Sequence, residues 1–195
     1  MGCAISWLAV SGKSIAEIHE SLGLSSTGER RARSEGPING ALLSTGWYLI
    51  CIDDFDHALV SSTVLECLSK GCRVVMCQVE EHVMYSGATL YEDGRQTWRV
   101  EHSGDIDTRD LQCEGEVPAM FERLALAISV RQDLADAWRE NVDHYFECPL
   151  ELARQLTGYS YDDAPDTVGD LPFEILEMNE PPSPSLWERL RRFRW

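Results

Sequence analysis

Arg73-Val74-Val75-Met76-Cys77-Gln78-Val79-Glu80-Glu81-His82-Val83-Met84-Tyr85, followed by Leu90-Tyr91-Glu92-Asp93-Gly94-Arg95, decides the fold class. Val75, Cys77, Val79, Val83 and Tyr85 recur with a period of two, which puts them on one face of a long extended run. The other face turns polar at Gln78, Glu80 and His82. Asp93-Gly94 stands between two strand-like runs, and a two-residue type I′ turn needs φ > 0 at both of its positions. That turn predicts a register in which Glu92 faces Arg95, Tyr91 faces Gln96 and Thr89 faces Trp98. Trp98 and Val100 then continue the face of Tyr91. A hairpin of this kind makes at least part of the sheet antiparallel.

Toward the N-terminus, residues 3–10 read as a buried strand ended by Ser11-Gly12. Ser14 and Glu17 have the spacing of a capping box, Ile15, Ile18 and Leu22 form an apolar stripe, and Gly23 closes this short helix. Residues 25–37 show no period and predict an exposed loop. Residues 46–52 predict a second buried strand. A helix from about Ala58 to Ser69 follows, with Val60, Val64, Leu65 and Leu68 inward.

Toward the C-terminus, Pro118 opens a helix to about Glu140, with Phe121, Leu124, Ile128, Leu134, Ala135 and Trp138 as its buried stripe. Pro149 starts a shorter helix through Leu156, ended by Gly158. Beyond it the chain is rich in proline and acidic residues and predicts an irregular strap, with Leu171, Phe173, Ile175 and Leu176 touching the body. The order of elements is that of an α+β protein: a single twisted, largely antiparallel sheet with helices packed on one face, plus a C-terminal acidic strap and a short basic helix. The expected division is a core domain at 1–160 and a strap and amphipathic tail at 161–195.

Lys and Arg number 17 against 33 Asp and Glu, so the formal net charge is 17 − 33 = −16. Such a chain repels phosphate backbones, which excludes nucleic acid as the expected partner. No apolar run approaches the length of a membrane-spanning helix, and the first residues lack the basic start of a secretory signal. Seven cysteines, an odd number with no C-x-x-C pair, point to reduced thiols in the cytoplasm, without cofactor or structural metal.

Four groups are candidate sites. Met1-Gly2-Cys3-Ala4-Ile5-Ser6 matches an acylation pattern, in competition with the first strand. Glu80, Glu81 and His82, with Glu101 and His102, are residue types that can hold Zn²⁺ or iron, and Glu80, His82 and His102 are the candidate catalytic residues; the competing reading is a solvated face paired with Arg73 and Arg99. Asp53, Asp54, Asp56 and His57 follow a strand and precede a helix, where capping accounts for them. Cys148 stands four residues after His144, a nucleophile–base spacing only if one helix spans both. No phosphate loop, dinucleotide fingerprint or nucleophile elbow occurs.

The tail is the most distinctive segment. Pro181-Pro182-Ser183-Pro184-Ser185 is a stiff spacer before Leu186, Trp187, Leu190 and Phe193, which share one helical face. Arg189, Arg191, Arg192 and Arg194 against Glu188 give the segment 4 − 1 = +3. Trp187, Leu190, Arg191, Phe193 and Arg194 are the candidate partner-binding residues, expected to dock on an acidic surface of the same chain, a twin subunit or a partner.

Residues 6–10, 45–49, 68–71, 81–86 and 149–153 (Ser6-Trp7-Leu8-Ala9-Val10, Thr45-Gly46-Trp47-Tyr48-Leu49, Leu68-Ser69-Lys70-Gly71, Glu81-His82-Val83-Met84-Tyr85-Ser86, Pro149-Leu150-Glu151-Leu152-Ala153) together resemble a family of small bacterial cytoplasmic proteins of unknown function. The resemblance spans about residues 3 to 160 and rests on apolar, structural motifs, so it implies no catalytic residue. Acidic bacterial proteins of this size include toxin-neutralising ones, a similarity of type. The expected function is a non-enzymatic interaction protein, of immunity or regulatory type, with a basic partner or a second copy, and without membrane-surface contact. The alternative is a small enzyme using Glu80, His82 and His102.

Overall fold

The computed structural model describes residues 2–31, 36–162 and 172–179. Its elements in chain order are β1 (Ala4–Ser11), α1 (Ile15–Leu22), β2 (Leu24–Arg31), β3 (Ile38–Leu42), β4 (Tyr48–Ile52), a 3₁₀ turn (Ala58–Val60), α2 (Ser62–Leu68), β5 (Arg73–Glu80), β6 (Tyr85–Glu92), β7 (Arg95–Ser103), β8 (Gln112–Gly115), α3 (Met120–Trp138), α4 (Glu147–Thr157) and β9 (Phe173–Met178). The nine strands form one sheet in the order β2-β9-β3-β4-β1-β5-β6-β7-β8, and each of the eight neighbouring pairs is antiparallel. The fold is α+β.

β1 lies at the centre because it is apolar on both faces. Trp7 and Ala9 enter one core, with Leu49, Cys51, Val75, Cys77 and Val79 from neighbouring strands and Phe146, Leu150, Leu152 and Ala153 from α4 and its approach. Leu8 and Val10 enter the other, with Ile50, Ile52, Val74 and Met76, under Ile18 and Leu22 of α1 and Leu65 and Leu68 of α2. The helices therefore cover both faces rather than the single face expected. The physical reason is in the strands: consecutive side chains of a strand point to opposite sides, and a strand apolar at every position needs cover on both.

α1 forms as its sequence predicts. Ser14 Oγ accepts from Glu17 N at 3.3 Å, Glu17 Oε2 accepts from Ser14 N at 2.9 Å, and Gly23 ends the helix in the left-handed region at φ 63°. The run from Arg73 does not continue to Tyr85. It stops at Glu80, reverses through Glu81–Met84 and returns as β6, because β1 offers no partner beyond Ala4 and Cys3 O takes the Glu81 amide at 2.9 Å.

The Asp93-Gly94 turn is present, with φ 50° and 79°. Glu92 pairs with Arg95 and Tyr91 with Gln96, as expected. The register then shifts, so that Trp98 pairs with Leu90 rather than Thr89, and Thr89 faces Arg99. The extra residue, Thr97, turns Trp98 and Val100 to the face opposite Tyr91, into the core that holds Trp7. The bulge has a use: Thr97 O accepts from Glu116 N at 3.1 Å, just past the end of β8.

Four strands escape the sequence reading: β2, β3, β8 and β9. Residues 25–31 are mostly exposed yet form β2, an edge strand paired with β9, so no buried face imposes a period on them. β3 and the four-residue β8 are too short to show one. The expected irregular strap instead supplies β9, which lies between β2 and β3 and buries Phe173 and Leu176. On α3, Ile128 and Ala135 are buried as expected, with Phe121 and Leu124 packed partly against the core. Leu134 and Trp138 are not; Gln132 takes the inward place, its Nε2 donating to Val142 O at 3.0 Å and its Oε1 accepting from His144 N at 2.9 Å.

Candidate functional site

Strand parity separates the carboxylate–histidine candidates. His102 follows Trp98 and Val100 at intervals of two, on the face of the core that contains Trp7. Glu80 follows Met76 and Gln78, on the opposite face. His82 belongs to the turn between β5 and β6.

Glu80 and His82 do meet. His82 Nδ1 lies 2.7 Å from Glu80 Oε1, which also accepts the His82 amide at 3.1 Å. These contacts hold the Glu80 carboxyl below its ordinary range, the side-chain hydrogen bond first. His82 is exposed, and the pair works as a local clasp on the turn.

His102 is fully buried, with Nδ1 2.6 Å from Asp110 O and Nε2 2.9 Å from Asp143 Oδ2. The Tyr145 ring stacks at 6.5 Å, and Asp143 Oδ1 accepts the Phe146 amide at 3.2 Å. With both ring nitrogens engaged and no exposure, His102 presents no atom to a substrate. Asp143 is the partner that sequence reasoning missed; it lies 41 positions away and nothing local marks it.

The remaining candidates resolve similarly. Arg73 pairs with Glu92 at 3.8 Å and Arg99 pairs with Glu101, which also accepts from the Tyr85 hydroxyl. His57 Nδ1 accepts the Leu59 amide at 3.2 Å and Asp54 Oδ1 the Asp56 amide at 3.1 Å, so this cluster shapes the turn before α2. Cys148 is buried near the start of α4, whose first residue is Glu147, so His144 lies outside the helix; burial pushes the thiol up to about 12. Cys3 is tied into the sheet, its amide donating to Glu81 Oε2 at 2.9 Å, and burial raises its thiol to about 11. None of the seven cysteines forms a disulfide. Among the described residues no group of three or more His, Cys, Asp or Glu is arranged to hold a metal ion, and no helix is long and apolar enough to cross a membrane. Trp187, Leu190, Arg191, Phe193 and Arg194 lie outside the described residues.

The outer face of α3 stands apart from these. Leu126, Val130, Leu134 and Trp138 are 66%, 50%, 57% and 77% exposed and follow one another at intervals of four, which on a helix is a continuous ridge. Ala127 and Ala137 are exposed beside them. Taking about 100° per residue, the centre of this ridge lies about 120° around the helix from Leu124, Ile128 and Ala135. α3 is thus apolar on two separate faces and buries one of them. The charges at its borders are paired within the chain: Arg109 holds Asp133 at 2.7 Å and Asp136 at 2.5 Å, and Arg131 holds Glu147 at 2.8 Å. Leu134 and Trp138 keep the helical period of an apolar stripe, but the stripe they belong to is the exposed one. Comparison with protein-family models, with curated proteins and with solved structures found no match to this chain.

Proposed function

We propose that this is a non-enzymatic interaction protein that binds another protein through the outer face of α3. The observation that carries the reading is the exposed ridge Leu126, Val130, Leu134, Trp138. Scattered exposed apolar residues are ordinary, whereas a contiguous apolar ridge on one helix is the pattern of a contact surface. The enzymatic alternative lacks this kind of support, since Glu80 and His102 face opposite sides of the sheet. The net charge of −16 favours a protein over nucleic acid as partner, and seven cysteines without a disulfide favour a reducing compartment, the cytoplasm.

A photo-crosslinking side chain at Val130, introduced in the protein's native cells, tests this. A discrete adduct at position 130, absent when the same side chain stands at exposed Glu29 of β2, is the expected result. Irradiation that yields no discrete adduct at Val130 overturns the reading.

A further inference from the structure

We infer that the occupant of the α3 ridge is a second copy of this chain, packed antiparallel through α3; this rests on the interaction reading above. The ridge is self-complementary about residue 132. Setting a second α3 antiparallel with position 132 level in both copies brings Val130 level with Leu134 of the other copy, and leaves Leu126 and Ala137, and Ala127 and Trp138, one residue (about 1.5 Å) from level. The angular positions agree: at about 100° per residue, Leu126 and Ala137 fall on one side of the ridge, Ala127 and Trp138 on the other, and Val130 and Leu134 near its centre. Large side chains thus meet small ones at both ends, which is how helices approach closely. A two-fold contact requires this reciprocity, because residue i touches j only if j touches i.

Charge selects the same occupant. A molecule at −16 repels its copy, so self-association needs a face from which that charge has been removed. Around α3 the cations Arg109, Arg123, Arg131 and Arg139 nearly balance the anions Glu122, Asp133, Asp136, Glu140 and Glu147, 4 − 5 = −1. Three of the carboxylates flanking the ridge or its base, those of Asp133, Asp136 and Glu147, already hold arginines of their own chain. A basic partner would find little unpaired acid here. One helix pair buries less than the roughly 800 Å² per partner of a standard interface, so a reversible dimer with a dissociation constant of about 1–100 µM is expected.

The test is analytical ultracentrifugation of the full chain across that concentration range, at 50 and 500 mM NaCl. The expected result is a mass that doubles with concentration, with tighter association at high salt because the remaining like charge is screened. Leu134→Glu should weaken the dimer at least tenfold without lowering the melting temperature. In a background with Cys67→Ser and Cys113→Ser, mixing Val130→Cys with Leu134→Cys protein should give the mixed disulfide in preference to either self-pair. A chain that stays monomeric throughout overturns the inference, as does a dimer unaffected by Leu134→Glu. A dimer lost with Leu190→Glu and kept with Leu134→Glu assigns the contact to the C-terminal segment and also overturns it. A monomer that nonetheless cross-links through position 130 to a different protein sinks self-association and leaves the interaction reading standing.

Discussion

His102 joins three parts of the chain: β7 through its own backbone, the 104–111 connection through Asp110 O, and the approach to α4 through Asp143. Removing one member of a buried hydrogen-bonded pair leaves the polar atoms it engaged without their partner, at a cost of about 1–3 kcal/mol. His102→Ala should therefore lower the free energy of unfolding by about 1–3 kcal/mol in urea titrations. Adding Asp143→Ala should cost much less than its own single-site effect, since the two act as one unit. A fully stable His102→Ala protein would mean that the residue is held for something other than structure. The exposed His82–Glu80 clasp should behave differently, and His82→Ala should leave stability within about 0.5 kcal/mol of the parent.

Caps and turns carry the local predictions. Ser14→Ala removes the side-chain cap of α1 and should cost about 1 kcal/mol at neutral pH. The Ser14 hydroxyl, followed by its amide, holds the Glu17 carboxyl below its ordinary range. A carboxyl depressed in the folded state contributes stability above its unfolded pKa and loses it as pH falls through the folded one. The gap in melting temperature between parent and Ser14→Ala should accordingly narrow from pH 7 toward pH 3; a gap constant with pH contradicts the capping box. Gly94, at φ 79°, makes the hairpin turn possible, and Gly94→Val should destabilise by roughly 1 kcal/mol or more in thermal melts. At Gly115 a Cβ would lie 2.2 Å from Thr97 O, so Gly115→Ala must push β8 off the bulge. Hydrogen exchange should then accelerate at the amides of β8 while those of β1 stay protected.

Over the whole molecule the excess of acid should matter more than any single pair. Self-repulsion at −16 disfavours the compact state and is screened by salt, so the melting temperature should rise between 10 and 500 mM NaCl. A fall would show that specific ion pairs such as Arg109 with Asp133 and Asp136 outweigh the net charge. The sequence by itself determined the local features: the capping box of α1, the Asp93-Gly94 turn, the burial of β1 and β4, and the antiparallel α+β class. Each is settled by residues within one turn or one strand of each other. Tertiary structure decided the rest, because it depends on partners remote in sequence. β9 enters the sheet 142 positions after Arg31, with which its first residue pairs, and no local period announces that. The Thr97 bulge reverses the faces of Trp98 and Val100 because β8 needs the Thr97 carbonyl. Glu80 and His102 look adjacent as polar residues on strands, yet two intervening strand pairings and that one bulge put them on opposite faces. α3 is apolar on two separate faces, and only the packing of α4 against it selects which face is buried and leaves Leu126, Val130, Leu134 and Trp138 facing outward.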